Sequence, residues 1–208
     1  MTELPRLSAM ASRSTTSSNP VRRMFTAVTP PPQAVARLED LLEPGRLRWP
    51  QLRWTKPSGW HLTCAFMARV DAAGYTRLDE LLTDLAAATA RFGLGLAGAG
   101  AFPAPGLAKA LWLGADDPGG ELAALARGCR TAARRAGISV ADEPFVGHLT
   151  IARYRHPADA RPQIDALDAT TIEPWPVTEI VLIESLLGQG DDGSVRYVVR
   201  ERYPLSSY

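Results

Sequence analysis

The sequence contains three histidines, and two of them begin the same tripeptide. The repeats are His61-Leu62-Thr63 and His148-Leu149-Thr150. Judged from residue frequencies, two such matches among three histidines arise by chance with a probability on the order of two in ten thousand. The repeated His-x-Thr pattern is therefore the strongest candidate for chemistry in this chain. His156 has no matching partner motif and is predicted to be a surface residue.

Two imidazoles that face each other can act as an acid–base pair. Near neutral pH one can be neutral and accept a proton, while the other is charged and donates one. Opening a cyclic phosphodiester needs both transfers, because the attacking water loses a proton and the departing alkoxide gains one. A threonine two residues further along the same strand can donate its hydroxyl to a phosphate oxygen. This scheme requires no metal ion, and we expect neither a metal nor a cofactor.

Each motif has to lie on a β-strand that turns one face to a cleft. In the strand predicted for residues 61–66, alternate side chains point to opposite sides. Leu62, Cys64 and Phe66 suit a hydrophobic core, which leaves His61 and Thr63 facing the cleft. The second motif is expected to present His148 and Thr150 in the same way.

Hydrophobic periodicity predicts the same order of elements around each motif: strand, helix, histidine strand, helix, strand. This order indicates an α+β, bilobal duplicated fold with two antiparallel sheets and flanking helices around a central cleft. Four helices are predicted. The first ends at Pro44-Gly45, and the second runs from Thr76 to Phe92 with Gly93 as its C-cap. The third runs from Glu121 to Ala136, and a short fourth helix lies near Pro162 to Leu167. The predicted strands include 25–28, 109–113, 177–186 and 195–203, with a turn-rich segment from Gly98 to Gly106.

Composition limits the class of protein. The 208 residues are 46% hydrophobic and carry a net charge of +1, which allows a substantial core and argues against a large duplex-binding face. Residues 1–23 are predicted to be a disordered extension, and residues 24–208 a single bilobal domain.

Cys64 and Cys129 are expected to be reduced and buried. No apolar run is long enough for a membrane span or a signal peptide, so we expect a cytoplasmic protein.

The sequence resembles the 2H phosphoesterase superfamily, in its RNA 2′,3′-cyclic phosphodiesterase branch, also described as 2′-5′ RNA ligases. Besides both His-Leu-Thr motifs, the segments that carry this resemblance are Met24–Val28 with Pro30-Pro31, Leu47-Arg48-Trp49, Gly98–Pro103, Leu111–Gly114 and Ser185–Gly188. The resemblance implies the same bilobal fold with two histidines in a central groove. This sequence departs from the family pattern at two places. Gly147 stands where a proline is usual, and Phe66-Met67-Ala68 stands where Phe-Leu-Gly is usual.

The resemblance also implies roles for individual residues. His61 is expected to be the acid and His148 the base, although a symmetric cleft also allows the reverse. Thr63 and Thr150 are expected to bind the phosphate, as is Arg153, which lies five residues after the second histidine. Strict alternation would turn Arg153 away from the cleft, so this role needs a strand end or a twist.

Phe145 is the sequence candidate for stacking on a base, while Trp49, Trp54 and Trp112 are predicted to pack in the fold.

The expected function is hydrolysis of RNA 2′,3′-cyclic phosphate ends by a metal-independent, monomeric phosphodiesterase, and the resemblance implies that the product carries a 2′-phosphate. RNA ends or cyclic nucleotides are the expected partners, with no membrane. The alternatives are 2′-5′ RNA ligation, phosphodiesterase action on another small cyclic nucleotide, and an RNA-binding module without turnover.

Overall fold

The computed structural model describes residues 21–190 and 193–207 of the chain. Within these residues the strands are β1 (Arg22–Val28), β2 (Arg53–Trp54), β3 (Leu62–Val70), β4 (Phe92–Phe102), β5 (Ala108–Asp116), β6 (His148–Ala158), β7 (Thr171–Val177), β8 (Glu179–Leu186) and β9 (Arg196–Pro204). The α-helices are α1 (Pro32–Arg48), α2 (Ala72–Ala87), α3 (Glu121–Arg135) and α4 (Arg161–Leu167). Residues 1–20 of the predicted disordered extension 1–23 lie outside the described residues, while residues 22 and 23 belong to β1.

The strands form two antiparallel halves joined at one point. The strand order is β7-β4-β5-β6-β3-β1-β8-β9, and β2 adds to β6 beside the junction. The two halves meet where β3 pairs with β6 through a single residue pair, Leu62 with Leu149. The predicted α+β, duplicated architecture is confirmed, and its two sheets are joined into one curled sheet by this pair.

Two of the helices, α1 and α3, pack against the half of the sheet that does not contain the strand before them. α1 follows β1 in the chain but packs against β7, and α3 follows β5 but packs against β3. α2 packs against α3 and β9, while α4 packs against β4. The strand predicted as the last element of the first repeat belongs to the other half of the sheet, because β4 pairs with β5 and β7. None of these four helices is long and apolar enough to cross a membrane, which applies to the described residues only.

A β-bulge in each histidine strand changes the predicted alternation. Thr26 pairs with Ala65 and Ala27 with Thr63, so Cys64 is an extra residue in β3. Two successive side chains, Cys64 and Ala65, therefore point into the core, and both are buried. The prediction that Phe66 packs in the core is wrong, because the bulge turns Phe66 to the other face, where it is 37% exposed.

Several predicted boundaries shift for local reasons. α1 continues through Pro44 to Arg48, because Gly45 is buried under the Trp54 ring and its carbonyl accepts a hydrogen bond from the Trp49 N–H at 2.9 Å. α2 begins at Ala72, since the Asp71 carboxylate caps it by accepting from the Gly74 N–H at 2.7 Å.

The later boundaries change because strand pairing overrides the local pattern. Gly93 is not a helix C-cap but lies in β4, opposite Pro176 of β7. β4 also runs on to Phe102, through the glycines that predicted a turn. β7 was not predicted, because its two prolines argue against a strand in the middle of a sheet. As an edge strand, β7 tolerates them.

The bulge in β3 predicts an unusual order of mutational costs. Met67→Ala should lower the free energy of unfolding by about 2–5 kcal/mol, because a fully buried side chain is lost. Phe66→Ala removes a larger side chain that is 37% exposed, so it should cost less even though the contact between the Phe66 ring and the Arg23 guanidinium, 4.3 Å from the ring centre, is lost. Urea unfolding of both variants measures this difference. Equal costs, or a larger cost for Phe66, would contradict the bulge.

Candidate active site

The four motif side chains surround the point where the two halves of the sheet meet. Leu62 and Leu149 are opposite each other and fully buried on the helix-covered side. Their chain neighbours therefore point to the opposite side, here called the cleft face, by strand alternation. His61, Thr63, His148 and Thr150 all lie on this face and are half-buried. The antiparallel register places each histidine diagonally across from the other and beside the threonine of the opposite motif.

Both imidazoles are oriented by the same local hydrogen bond. The Nδ1–H of His61 donates to the Gly59 carbonyl oxygen at 2.8 Å. The Nδ1–H of His148 donates to the Val146 carbonyl oxygen at 2.7 Å. A carbonyl can only accept, so Nδ1 carries the proton in each neutral ring and Nε2 holds the free lone pair. Each histidine thus presents Nε2 as its proton-transfer atom.

Aromatic rings pack against each histidine. Phe25 and Tyr197 surround His61, with ring centroids 4.6 and 5.2 Å from the imidazole. Phe102 and Trp112 surround His148, at 4.8 and 6.0 Å. The Trp112 ring reaches this place because it lies flat over Gly100, where a Cβ would be only 2.2 Å from the indole. These rings restrict the imidazoles and remove water from one side of each.

Burial makes both histidines harder to protonate. It lowers the pKa of His61 to about 4, with the Gly59 carbonyl opposing the shift and the charges of His148 and Arg153 adding to it. Burial also lowers the pKa of His148, against the effect of the Val146 carbonyl and with the Arg153 charge adding to the shift. Both rings are therefore neutral in the unliganded protein near pH 7. An anion between them would raise both pKa values.

Arg153 reaches the cleft face through a second bulge. Leu111 pairs with Ala152 and Trp112 with Thr150, so Ile151 is the extra residue in β6. The extra residue reverses the alternation of side chains in β6, so Arg153 points to the cleft face instead of the core. Arg153 lines an open cleft of about 750 Å³ together with Gly59 and Tyr197. Its charge acts on both histidines, as their pKa shifts indicate. Arg153 therefore lies on the cleft face, close enough to both imidazoles for its charge to act on them.

The two bulges occupy equivalent places in the repeat, but the residues that follow them differ. Phe66 lies five residues after His61, as Arg153 lies five after His148. Both point away from the core, so one half of the cleft face carries an exposed aromatic ring where the other carries a guanidinium. The duplicated backbone is thus chemically asymmetric.

The remaining sequence candidates have different surroundings. Phe145 is half-buried, packs against the main core and has the Arg130 guanidinium 5.8 Å from its ring centre, so its stacking role stays a prediction. Trp49 is buried as predicted, and the indole N–H of Trp54 donates to the Trp49 carbonyl oxygen at 3.2 Å. Trp112 packs beside His148, closer to the site than expected.

Sequence reasoning missed the aromatic rings around the histidines. Phe25 and Phe102 lie in segments that carry the family resemblance and Tyr197 lies in a predicted strand, but their contacts with the histidines depend on pairing between distant strands. Gly147, where the family usually has proline, is closely packed, since a Cβ there would be 2.9 Å from the Ala115 Cβ.

Within residues 21–190 and 193–207, no three His, Cys, Asp or Glu side chains form a group that could hold a metal ion. Cys64 and Cys129 are both free and buried.

Known proteins resemble this chain in sequence and in fold. An RNA 2′,3′-cyclic phosphodiesterase of Archaeoglobus fulgidus is 30% identical over 100 residues, which are 48% of this chain and 54% of that protein. A protein of the same name from Geobacillus stearothermophilus is 33% identical over 100 residues, 48% of this chain and 32% of the relative. The matched region thus spans about half or less of these relatives. The crystal structure of Escherichia coli LigT complexed with 3′-AMP superposes with a TM-score of 0.70 at 24% identity, covering 90% of this chain and 99% of that one.

The model of the 2′-5′ RNA ligase superfamily matches residues 29–189, which include both histidine motifs and most of the domain. With the duplicated fold and the paired histidines, this match shows that the chain belongs to the 2′-5′ RNA ligase superfamily.

Proposed function

We propose that this protein hydrolyses 2′,3′-cyclic phosphate ends of RNA and leaves a 2′-phosphate. The observation that carries the proposal is the matched orientation of His61 and His148, each with Nδ1 held by a carbonyl two residues earlier and Nε2 available. The names of the archaeal and bacterial relatives support the same activity.

In the proposed reaction His148 is the base and His61 the acid. His148 Nε2 takes a proton from water as the water oxygen forms a bond to phosphorus. The bond from phosphorus to O3′ breaks on the opposite side, and protonated His61 gives its Nε2 proton to that oxygen. The bond to O2′ remains, so the product carries a 2′-phosphate and a free 3′-hydroxyl. Proton count is conserved, because one imidazole gains the proton that the other loses.

The threonines and Arg153 stabilise the charge that develops on the phosphate. The hydroxyls of Thr63 and Thr150 can donate to its nonbridging oxygens, and the guanidinium of Arg153 can donate two parallel hydrogen bonds. Such groups act best where water is excluded, as beside the ring pairs of this cleft. The phosphate charge also raises the pKa of the neighbouring imidazole, which allows His61 to be protonated in the complex.

The remaining expectations belong to the same proposal. Both histidines, both threonines and Arg153 come from one chain, which supports action as a monomer. The chemistry assigned to these groups requires no metal. The cytoplasmic location stays a prediction from the sequence.

Removing either imidazole should abolish most of the activity. His61→Ala and His148→Ala should each lower turnover of a 2′,3′-cyclic mononucleotide by about 10²–10⁴-fold, because one proton transfer loses its group. Phosphorus NMR of the product, in buffer containing a chelator, measures turnover and identifies the 2′-phosphate. His156→Ala is the matched control and should keep full activity, and circular dichroism verifies that all three variants fold.

Three outcomes would contradict parts of this proposal. Near wild-type turnover in a folded His61 or His148 variant would exclude the two-histidine mechanism. Loss of wild-type activity in chelator would exclude the metal-free reaction. RNA with matched 2′,3′-cyclic phosphate and 5′-hydroxyl ends, if joined faster than it is hydrolysed, would favour 2′-5′ ligation.

The pH dependence should reflect the lowered pKa values of the pair. In the free enzyme one imidazole has to be protonated and the other neutral, and both pKa values lie below the ordinary 6.5. The singly protonated pair is therefore lost as the pH rises through a value below 6.5, and the neutral base is lost at lower pH, where both imidazoles are protonated. We expect kcat/KM to be bell-shaped with its maximum below pH 6.5, the two limbs belonging to the coupled pair.

In the substrate complex the phosphate charge raises the pKa of the acid, so kcat should stay high to a more alkaline pH than kcat/KM. Steady-state rates from pH 4 to 9 measure both profiles. A kcat/KM that still rises at pH 8 would contradict the lowered pKa values.

A further inference from the structure

Three arginines on separate strands line the same cleft. Arg53 belongs to β2, Arg153 to β6 and Arg196 to β9, and all three border the opening of about 750 Å³ beside Tyr197. None of their guanidinium groups forms an ion pair with a carboxylate in the part of the chain that the structure describes. The proposed reaction uses only Arg153.

The pairing of Arg53 with Arg153 is electrostatically unfavourable in the unliganded protein. The two residues are direct cross-strand partners, so their side chains lie on the same face. Like charges at directly opposed positions destabilise a sheet, and cross-strand partners have Cα atoms only about 5 Å apart. An anionic ligand placed between or beside the two guanidinium groups would remove this repulsion.

The backbone of β2 holds Arg53 in place without a ligand. The Thr55 N–H donates to the Ile151 carbonyl oxygen at 2.8 Å, next to the bulge that turns Arg153 into the cleft. The Trp54 indole is held by the Trp49 carbonyl and packs over Gly45. On the opposite side of the cleft, β9 carries Arg196 next to Tyr197, whose ring contacts His61. Arg53, Arg153 and Arg196 therefore lie on paired strands that also position the histidines.

We propose that Arg53 and Arg196 form a second phosphate subsite, which binds the phosphodiester on the 5′ side of the terminal nucleotide. This inference rests on the proposed function, in which Arg153 binds the terminal phosphate between the histidines. Guanidinium groups suit the second phosphate because they donate paired, charge-assisted hydrogen bonds to its oxygens. The preferred substrate class is then an oligonucleotide of two or more residues with a terminal cyclic phosphate, and a cyclic mononucleotide fills only half of the site.

Binding without turnover tests this subsite. Isothermal titration calorimetry compares adenosine 3′-monophosphate with the dinucleotide ApA carrying the same 3′-phosphate. The wild-type protein should bind the dinucleotide roughly tenfold or more tightly. Arg53→Gln and Arg196→Gln should each reduce dinucleotide affinity far more than mononucleotide affinity. Each should also reduce the slope of log affinity against log salt for the dinucleotide by about 0.7.

Arg37→Gln is the matched control, because it removes the same charge from the exposed surface of α1. It should leave both affinities unchanged, which separates local contacts from the effect of net charge. Equal affinity of the wild-type protein for the two ligands would overturn the subsite, as would an equal loss for both ligands in the Arg53 and Arg196 variants. Tighter dinucleotide binding without hydrolysis of any cyclic phosphate would reject the proposed function and leave the subsite standing.

Discussion

The site depends on one short contact between two strands. Leu62 and Leu149 form the only residue pair between β3 and β6 in the described residues, and both are fully buried. Because alternate side chains point to opposite faces, burying these two leucines turns both histidines and both threonines to the cleft face. A slip of one residue in either strand would send its histidine into the core. The hydrophobic contact thus decides the geometry of the proposed proton transfers.

The bulges extend this control beyond the motifs. Cys64 in β3 and Ile151 in β6 are extra residues at equivalent places, and each reverses the alternation of the strand that follows. Without the second bulge Arg153 would point into the core. The same backbone device in the first strand exposes Phe66. A duplicated fold therefore offers two equivalent positions, and the side chains that occupy them give the two halves of the cleft different chemistry.

The exchange of helices explains why neither half of the sheet is an independent unit. α1 and α3 each pack against the half that does not contain the preceding strand, so the core spans both repeats. This arrangement restrains the two histidine strands relative to each other, although Leu62 and Leu149 are the only residues that pair between them in the described part of the chain. Two imidazoles must stay in register to transfer protons on opposite sides of one phosphorus, and a shared core provides that rigidity.

The amino-acid sequence alone determined the chemistry and the kind of fold. Three histidines in the whole chain, two of them in identical His-Leu-Thr motifs, predict the proton-transfer groups of the proposed reaction without any structure, and the periodicity of Leu and Val indicates the strands and helices around them. The tertiary structure decided which side chains face the histidines. Phe25, Tyr197, Phe102 and Trp112 come from four strands, and Arg53 opposes Arg153 only because β2 pairs with β6. Bulges, strand register and helix exchange result from packing between distant segments, and local periodicity contains no information about such contacts.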